Sequence, residues 1–239
     1  MKRKWSLLAA AGVVAVVSSA ALSSSVTVTR MSGTFAGDGG EFNIERTSGS
    51  VGILGGPASP QGAPANSFQS FCLELGQSVT LGDSYDVVIS NNVDTGTGAP
   101  ISVPSGFSAP NPFNGRSTIA AGTAWLYEAF RAGTLNSYTY TVGSGRENSA
   151  RDLQIAIWIY QNQIEPNDPT YTNDFLDAAS NALTDPTADY TGSRVRALNM
   201  TDSSGQKRQD MLTIIPLPSG GGLAAAGLLG LVALRRRRA

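Results

Sequence analysis

The chain has 239 residues, a length that favours one large domain over two small ones. Charged residues make up only 15%, and 27 glycines with 12 prolines favour many turns and extended segments over a long helical bundle. With no histidine and a single cysteine, Ser-His-Asp and Cys-His catalysis, His-based metal sites, intrachain disulfides and CxxC motifs are excluded. The net charge of −1, with no basic domain face, argues against a nucleic-acid partner.

The N-terminus has the pattern of a secretory signal. Basic residues 2–4 are followed by an apolar run at residues 7–17 and by small residues at 18–21. The apolar run is too short to span a bilayer stably, so we expect a signal peptide over residues 1–21, cut near Ala20 or Ala21. An N-terminal anchor that stays in place is the alternative.

The next part of the chain predicts a small antiparallel sheet assembly. Short β-prone runs at residues 26–29, 41–44 and 84–89 alternate apolar and polar side chains, and Gly-rich turn clusters separate them. A sandwich or a barrel accommodates such strands.

From about residue 117 the apolar spacing becomes helical. We expect a first helix of about four turns that includes residues 120–130 and ends near Gly133. A second helix is expected from Ser149 to about Ile164 with Asn148 or Ser149 as its cap, and a third from about Asn173 to Leu183. Strand and turn character returns between Tyr190 and Ile215. The prediction is one α+β domain over residues 22–213, an antiparallel sandwich or barrel with a helical subdomain of about three helices.

The C-terminus combines a proline motif, an apolar stretch and a basic end. The apolar stretch over residues 217–234 approaches the length of a spanning helix, and the charges after it would stay in the cytoplasm. The motif is Pro216, Leu217, Pro218 and Ser219, and the basic end is Arg235, Arg236, Arg237 and Arg238. We therefore expect residues 214–239 to act as a membrane-anchoring sorting signal.

This tail resembles the PEP-CTERM sorting signals of Gram-negative bacteria, which an exosortase processes. The resemblance implies an exported protein, first anchored in the membrane and then placed at the cell surface or in a biofilm matrix with exopolysaccharide. A sortase signal is a rival interpretation, although Gly220 stands where that motif requires threonine. A simple anchor that is never cut is another.

The single cysteine, Cys72, lies in the apolar, strand-like run Phe71-Cys72-Leu73-Glu74-Leu75. Exported proteins normally pair their cysteines or avoid them, because a free thiol is an oxidation liability. A buried Cys acting as a small hydrophobe is the plain alternative. Papain-like catalysis is excluded, since no histidine exists to activate the thiol.

A second run, Leu153-Gln154-Ile155-Ala156-Ile157-Trp158, predicts a helix nearly surrounded by protein, with Gln154 in about its first turn. A buried amide needs hydrogen-bond partners. Neighbouring backbone groups could supply them, which is the structural alternative to a chemical role.

Together the two runs resemble the thioester domains of bacterial surface adhesins, which pair an aromatic-Cys-aliphatic motif with a later apolar-Gln-x-Ala-Ile-Trp motif. The resemblance covers about residues 71–163 and includes a helix between the motifs at 123–127. It implies that the Cys72 sulfur becomes acylated by the Gln154 side chain. Glu74 and Tyr127 are the nearest candidate helpers, through a hydrogen bond to the acyl oxygen or a proton relay.

The expected function is covalent attachment to an amine- or hydroxyl-bearing partner, either a surface nucleophile or an exopolysaccharide. The thioester would be a single-use electrophile, so we expect no turnover enzyme. We also expect no cofactor and no metal. The alternative is a non-covalent structural or carbohydrate-binding matrix protein. A glycosidase is a further alternative, since it needs only two carboxylates, but no spacing singles out a pair among Glu41, Glu45, Glu74 and Glu128. Calcium could be held by Asp94 with Asn92 or by Asp168 with Asp174, but neither pair matches the EF-hand calcium-binding loop.

Overall fold

A computed structural model describes residues 24–37, 39–94, 103–109 and 115–216. The predicted signal peptide and the tail from Leu217 onward lie outside these residues.

Six antiparallel strands form the main sheet, in the spatial order β3-β2-β1-β4-β7-β8. The strands are β1 (Ser24–Thr29), β2 (Phe42–Ser48), β3 (Ser67–Ser70), β4 (Ser84–Ser90), β7 (Val195–Thr201) and β8 (Lys207–Ile214). Two short strands, β5 (Phe107–Ser108) and β6 (Glu165–Pro166), pair with each other.

The sheet closes on itself. The chain that continues from β3 meets the opposite edge strand, β8, through a bridge between Cys72 and Met211. Leu73 N–H donates to the Asp210 carbonyl at 3.0 Å, and Leu212 N–H donates to the Phe71 carbonyl at 3.2 Å. We call this junction of residues 70–74 with residues 209–212 the seam. The predicted α+β class, an antiparallel sheet assembly with a helical part, is confirmed. Of the two predicted forms, sandwich and barrel, the seam favours the barrel.

Strand alternation fills the barrel. In β1, Ser24, Val26 and Val28 point inward and are buried, while the residues between them are partly exposed. This is the period of two that a half-buried strand requires. The interior cluster includes Val26, Val28, Phe42, Ile44, Phe68, Cys72, Tyr85, Val87, Leu198, Met200 and Met211.

Three helices lie between β4 and β7 in the chain: α1 (Ala121–Arg131), α2 (Ser144–Tyr160) and α3 (Asp174–Ala182). Gly133, with φ of +72°, ends α1 where predicted, because an αL residue lets the last turn close. Asn173 caps α3, accepting hydrogen bonds from the N–H groups of Phe175 and Leu176.

Helix α2 differs from its prediction. It begins at Ser144, five residues before Ser149, and ends at Tyr160, four before Ile164. The expected caps, Asn148 and Ser149, therefore lie inside the helix, and the N-cap position is Gly143, which makes no side-chain cap. The apolar spacing begins only at residue 150, so the polar first turns gave no periodic signal.

Helix α2 borders two cores. Leu153 and Ile157 pack in a cluster formed by the three helices and the outer faces of Phe71, Leu73, Val195, Ala197 and Leu212. Ile155 and Trp158, on another face of the helix, join the barrel interior. Among the residues that the structure describes, no helix has the length and apolarity needed to cross a membrane.

Candidate functional site

The site begins at the seam, where Cys72 and its neighbours face opposite sides. Phe71 and Leu73 point to the helical cluster, and Cys72 points into the barrel cluster. Cys72 is only 1% exposed and makes no disulfide. Its thiol is therefore held inside protein rather than at the surface.

Gln154 reaches this residue from α2. Its side-chain oxygen accepts a hydrogen bond from the Cys72 N–H at 2.9 Å, and its side-chain nitrogen donates to the Cys72 carbonyl at 2.9 Å. Gln154 is 1% exposed. It lies in the middle of α2 rather than in the first turn, because the helix starts earlier than predicted. The structure thus brings the two residues of the predicted thioester together.

Main-chain atoms of the loop before β2 cover the Gln154 side chain. A Cβ placed on Gly39 would lie 2.5 Å from Gln154 Cγ and 2.9 Å from Trp158 Cη2, closer than atoms can approach. Arg30 donates hydrogen bonds to the carbonyl oxygens of Gly37 and Gly39 and so holds the loop in place. Any other residue at position 39 would therefore force the loop or these two side chains to move.

Two cavities reach the pair. One, of about 220 Å³, which we call the Gln154 groove, is lined by Gln154, Trp158, Ile155, Gly39, Val103 and Pro104, among others. The other, of about 170 Å³, is lined by Cys72, Arg30, Phe42, Val79 and Gln209, among others. A reactant in the groove would meet the Gln154 side chain rather than the sulfur.

Burial keeps the thiol protonated. Desolvation raises the pKa of Cys72 well above its usual value; the charge of Arg30 opposes this rise, and Glu74 adds to it when it is ionised. A neutral thiol is inert toward most reagents. Chemistry at Cys72 must therefore move the proton together with the attack.

The two expected helpers lie in different surroundings. Both carboxyl oxygens of Glu74 are buried without a hydrogen-bond partner among the described residues, and burial followed by the charge of Asp210 raises its pKa to about 9. The Tyr127 hydroxyl lies 3.0 Å from the Gln69 and Leu212 carbonyl oxygens and accepts from Arg131. Neither is hydrogen-bonded to Gln154 in the structure; the Gln154 oxygen accepts from Cys72.

Two further buried glutamines, just after the end of α2, were not singled out from the sequence. Gln163 accepts from the Leu75 N–H at 3.0 Å, and Gln161 accepts from the Ala120 N–H at 2.9 Å. They are 2% and 0% exposed. The sequence signal was available, since polar Gln161 and Gln163 interrupt an apolar helix end. Backbone capping by glutamine is therefore a recurring device here.

The other sequence candidates lie elsewhere. Glu41 forms a buried ion pair with Arg146, with Nε to Oε1 at 2.6 Å. Within the described ranges, no group of three or more His, Cys, Asp or Glu side chains is placed to hold a metal ion. Pro216 is exposed at the end of the described chain, and Leu217, Pro218, Ser219 and the arginines at 235–238 lie outside it.

Comparison of the chain with protein-family models, with curated proteins and with solved structures finds no match in any of the three.

Proposed function

We propose that the protein is an exported surface or matrix protein whose Cys72 and Gln154 form an intramolecular thioester, which then couples the protein to an amine or hydroxyl on a partner. The observation that supports this most directly is the buried pair of 2.9 Å hydrogen bonds between the Gln154 amide and the Cys72 backbone. The bonds fix the amide beside the residue that carries the nucleophile.

The hydrogen bonds favour attack on the amide carbon. The Cys72 N–H donates to the Gln154 oxygen, where negative charge would grow as sulfur adds to the carbonyl. A primary amide is a poor acceptor for a thiol, so the gain must come from fixed geometry and from a donor already in place. Helix α2 and the seam provide both.

The step balances within the two side chains. The Cys72 Sγ–Cδ bond forms, the Gln154 Cδ–Nε2 bond breaks, and the thiol proton leaves with the nitrogen as ammonia. Since burial raises the pKa of the thiol, the proton is present at the start and does not have to come from solvent. The product is a thioester between two residues that are each 1% exposed, and this burial shields it from hydrolysis.

The partner would reach the thioester through the Gln154 groove. An amine or hydroxyl attacks Cδ, the bond to sulfur breaks, and the proton of the nucleophile passes to the Cys72 sulfur. The partner is then joined to Gln154 by an amide or an ester. The stored electrophile is used once, so the protein is an attachment device and not a turnover enzyme.

The second candidate is a non-covalent structural or carbohydrate-binding matrix protein. Gln163 favours it, because this glutamine caps the Leu75 N–H in the way that Gln154 caps Cys72. A polar cavity of about 280 Å³ beside Asp152, Tyr171 and Asn173 offers a place for a sugar. In this second candidate function, Gln154 serves only as the hydrogen-bond partner of the Cys72 N–H and carbonyl groups.

The topology follows from the two ends. We propose that the N-terminal signal directs export and that Arg235, Arg236, Arg237 and Arg238 hold the C-terminus in the cytoplasm until an exosortase acts. Replacing the four arginines with neutral residues should weaken this orientation. A reporter fused at Asn199 that is found in the cytoplasm of intact cells would refute it.

Methylamine labelling tests the proposed chemistry. Incubation of the purified protein should attach methylamine to Gln154 and free one thiol at Cys72, both located by peptide mapping. Gln163→Ala is a matched control that removes a buried backbone-capping glutamine and should keep the labelling. Labelling that survives in Gln154→Ala, or no labelling of the wild-type protein, would leave the non-covalent candidate.

A further inference from the structure

A second feature of the seam is a pair of buried acidic side chains with unsatisfied oxygens. Glu74 is 2% exposed and Asp210 is fully buried. Both Glu74 carboxyl oxygens and Asp210 Oδ1 lack a hydrogen-bond partner among the described residues. Buried carboxylates without partners are costly, so something must neutralise them.

The two residues lie on opposite sides of the seam, next to Cys72. Leu73, between Cys72 and Glu74, donates its N–H to the Asp210 carbonyl, and the Gln209 side chain donates to the Glu74 carbonyl at 2.5 Å. Repulsion between the two side chains would therefore act directly on the strand contact that holds Cys72.

No cation in the described surroundings is free to neutralise the pair. The charge of Lys207 lowers the pKa of both carboxyls, but its Nζ lies 2.9 Å from Asp94 Oδ1 and its side chain is 58% exposed. Asp94 adds a further negative charge, and its N–H donates to Asp210 Oδ2 at 2.5 Å. Cys72 is the remaining titratable neighbour, and its thiol is neutral.

We propose that Glu74 and Asp210 are proton-carrying positioning residues, which hold the seam closed in their neutral form and loosen the contact between Cys72 and Gln154 when they ionise. The part about Cys72 and Gln154 rests on the proposed thioester, whereas the part about the seam does not.

The direction of the pKa shifts of Glu74 and Asp210 is the one that this proposal requires. Burial is the first cause for both groups, and the pKa of Glu74 is raised to about 9 and that of Asp210 to about 8. The backbone of Asp210 opposes the rise at Glu74, and the backbones of Asp94 and Met200 oppose it at Asp210, but burial outweighs them. In the unfolded chain both ionise near pH 4. Folding therefore takes up protons, so stability is highest at acidic pH and falls as the pH rises toward the two folded-state values. Each group can change the unfolding equilibrium constant by up to about tenfold per pH unit in that window.

Neutral variants of similar shape separate this proposal from a merely structural role. Urea unfolding of the purified full chain between pH 5.5 and 9.5 would compare the wild-type protein with Glu74→Gln, Asp210→Asn and the double variant. Asp86→Asn, an exposed site on β4, is the control. Since amides mimic the protonated acids, the double variant should lose most of the pH dependence and should be more stable than the wild-type protein at pH 9.

A variant that keeps the wild-type pH dependence, or that is less stable at every pH, would overturn the proposal. So would a wild-type protein whose stability at pH 9 is restored by calcium, because a cation would then neutralise the pair. The same series in a Cys72→Ser background, which cannot form the thioester, tests the seam independently of the proposed chemistry. If the thioester forms, the rate of methylamine labelling should be measured in the wild-type protein and in the double variant at pH 7 and pH 9. The ratio of the wild-type rate to the variant rate should rise about fivefold or more between these pH values. An unchanged ratio would refute the proposed effect on Cys72.

Discussion

The side-chain amide of Gln154 and the backbone of Cys72 bond to each other twice, each time over 2.9 Å, although 82 positions separate them in the chain. One bond places an N–H donor on the carbonyl oxygen, and the other holds the nitrogen that would leave. The bonds also satisfy main-chain groups that the Cys72–Met211 bridge leaves without a strand partner. A single residue thus joins α2 to the barrel and presents an amide to the only cysteine.

Removing the Gln154 side chain should cost stability as well as chemistry. Gln154→Ala leaves the Cys72 N–H and carbonyl buried without partners, and each such group costs about 1–3 kcal/mol. Urea unfolding should show the loss. Gln154→Glu keeps the size but cannot expel ammonia, so it should form no thioester while it stays folded. A Gln154→Ala protein as stable as the wild type would contradict the hydrogen-bond geometry.

Gly39→Ala should disturb the contact between Gln154 and Cys72 through the loop that lies over the Gln154 side chain. The new methyl group would overlap Gln154 Cγ and Trp158, so the loop or the glutamine must move. We expect a loss of about 1–3 kcal/mol, as for other overpacked sites, and less methylamine labelling. Gly37→Ala is the control, since its Cβ meets nothing within 4 Å and only its φ of +64° is strained. The strained control should keep the labelling, and a Gly39→Ala protein with unchanged stability and unchanged labelling would contradict the contact with Gln154.

The buried ion pair between Arg146 and Glu41 fixes the start of α2 against the start of β2. Two bonds join them, at 2.6 and 2.7 Å, and both side chains are at most 1% exposed. Glu41→Gln leaves a buried guanidinium without its counter-charge and should cost about 3–5 kcal/mol in urea unfolding. The exposed pair of Arg151 and Asp152 is the comparison, and Asp152→Asn should cost less than about 1 kcal/mol. Similar losses in both variants would refute the assignment.

Tyr127→Phe distinguishes a structural role of the Tyr127 hydroxyl from a role in thioester formation. The hydroxyl bridges the carbonyl oxygens of Gln69 in β3 and Leu212 in β8, the two edge strands beside the seam, so its removal should cost about 1–3 kcal/mol. Because the hydroxyl is not bonded to Gln154, thioester formation should continue. A folded Tyr127→Phe protein that no longer loses ammonia would assign Tyr127 the helper role considered from the sequence.

The strands and helices could be predicted where side-chain spacing carries the signal. Val26 and Val28 alternate as a half-buried strand requires, and Gly133 marks the end of α1. The first turns of α2 were missed because they are polar and begin at a glycine rather than at a capping side chain. Cys72 and Gln154 were singled out from local motifs, but their contact depends on barrel closure, a long-range pairing that no local pattern encodes. Asp210 was missed for the same reason, since its burial follows from that closure.

The intact mass of the freshly purified protein tests the central claim most directly. Thioester formation expels ammonia, so the wild-type chain should weigh about 17 Da less than its sequence predicts after any processing at the ends is assigned. Cys72→Ala and Gln154→Ala should each show the full mass, and Gln163→Ala should keep the deficit. A wild-type protein of full mass with a thiol that titrates freely after unfolding would contradict the account.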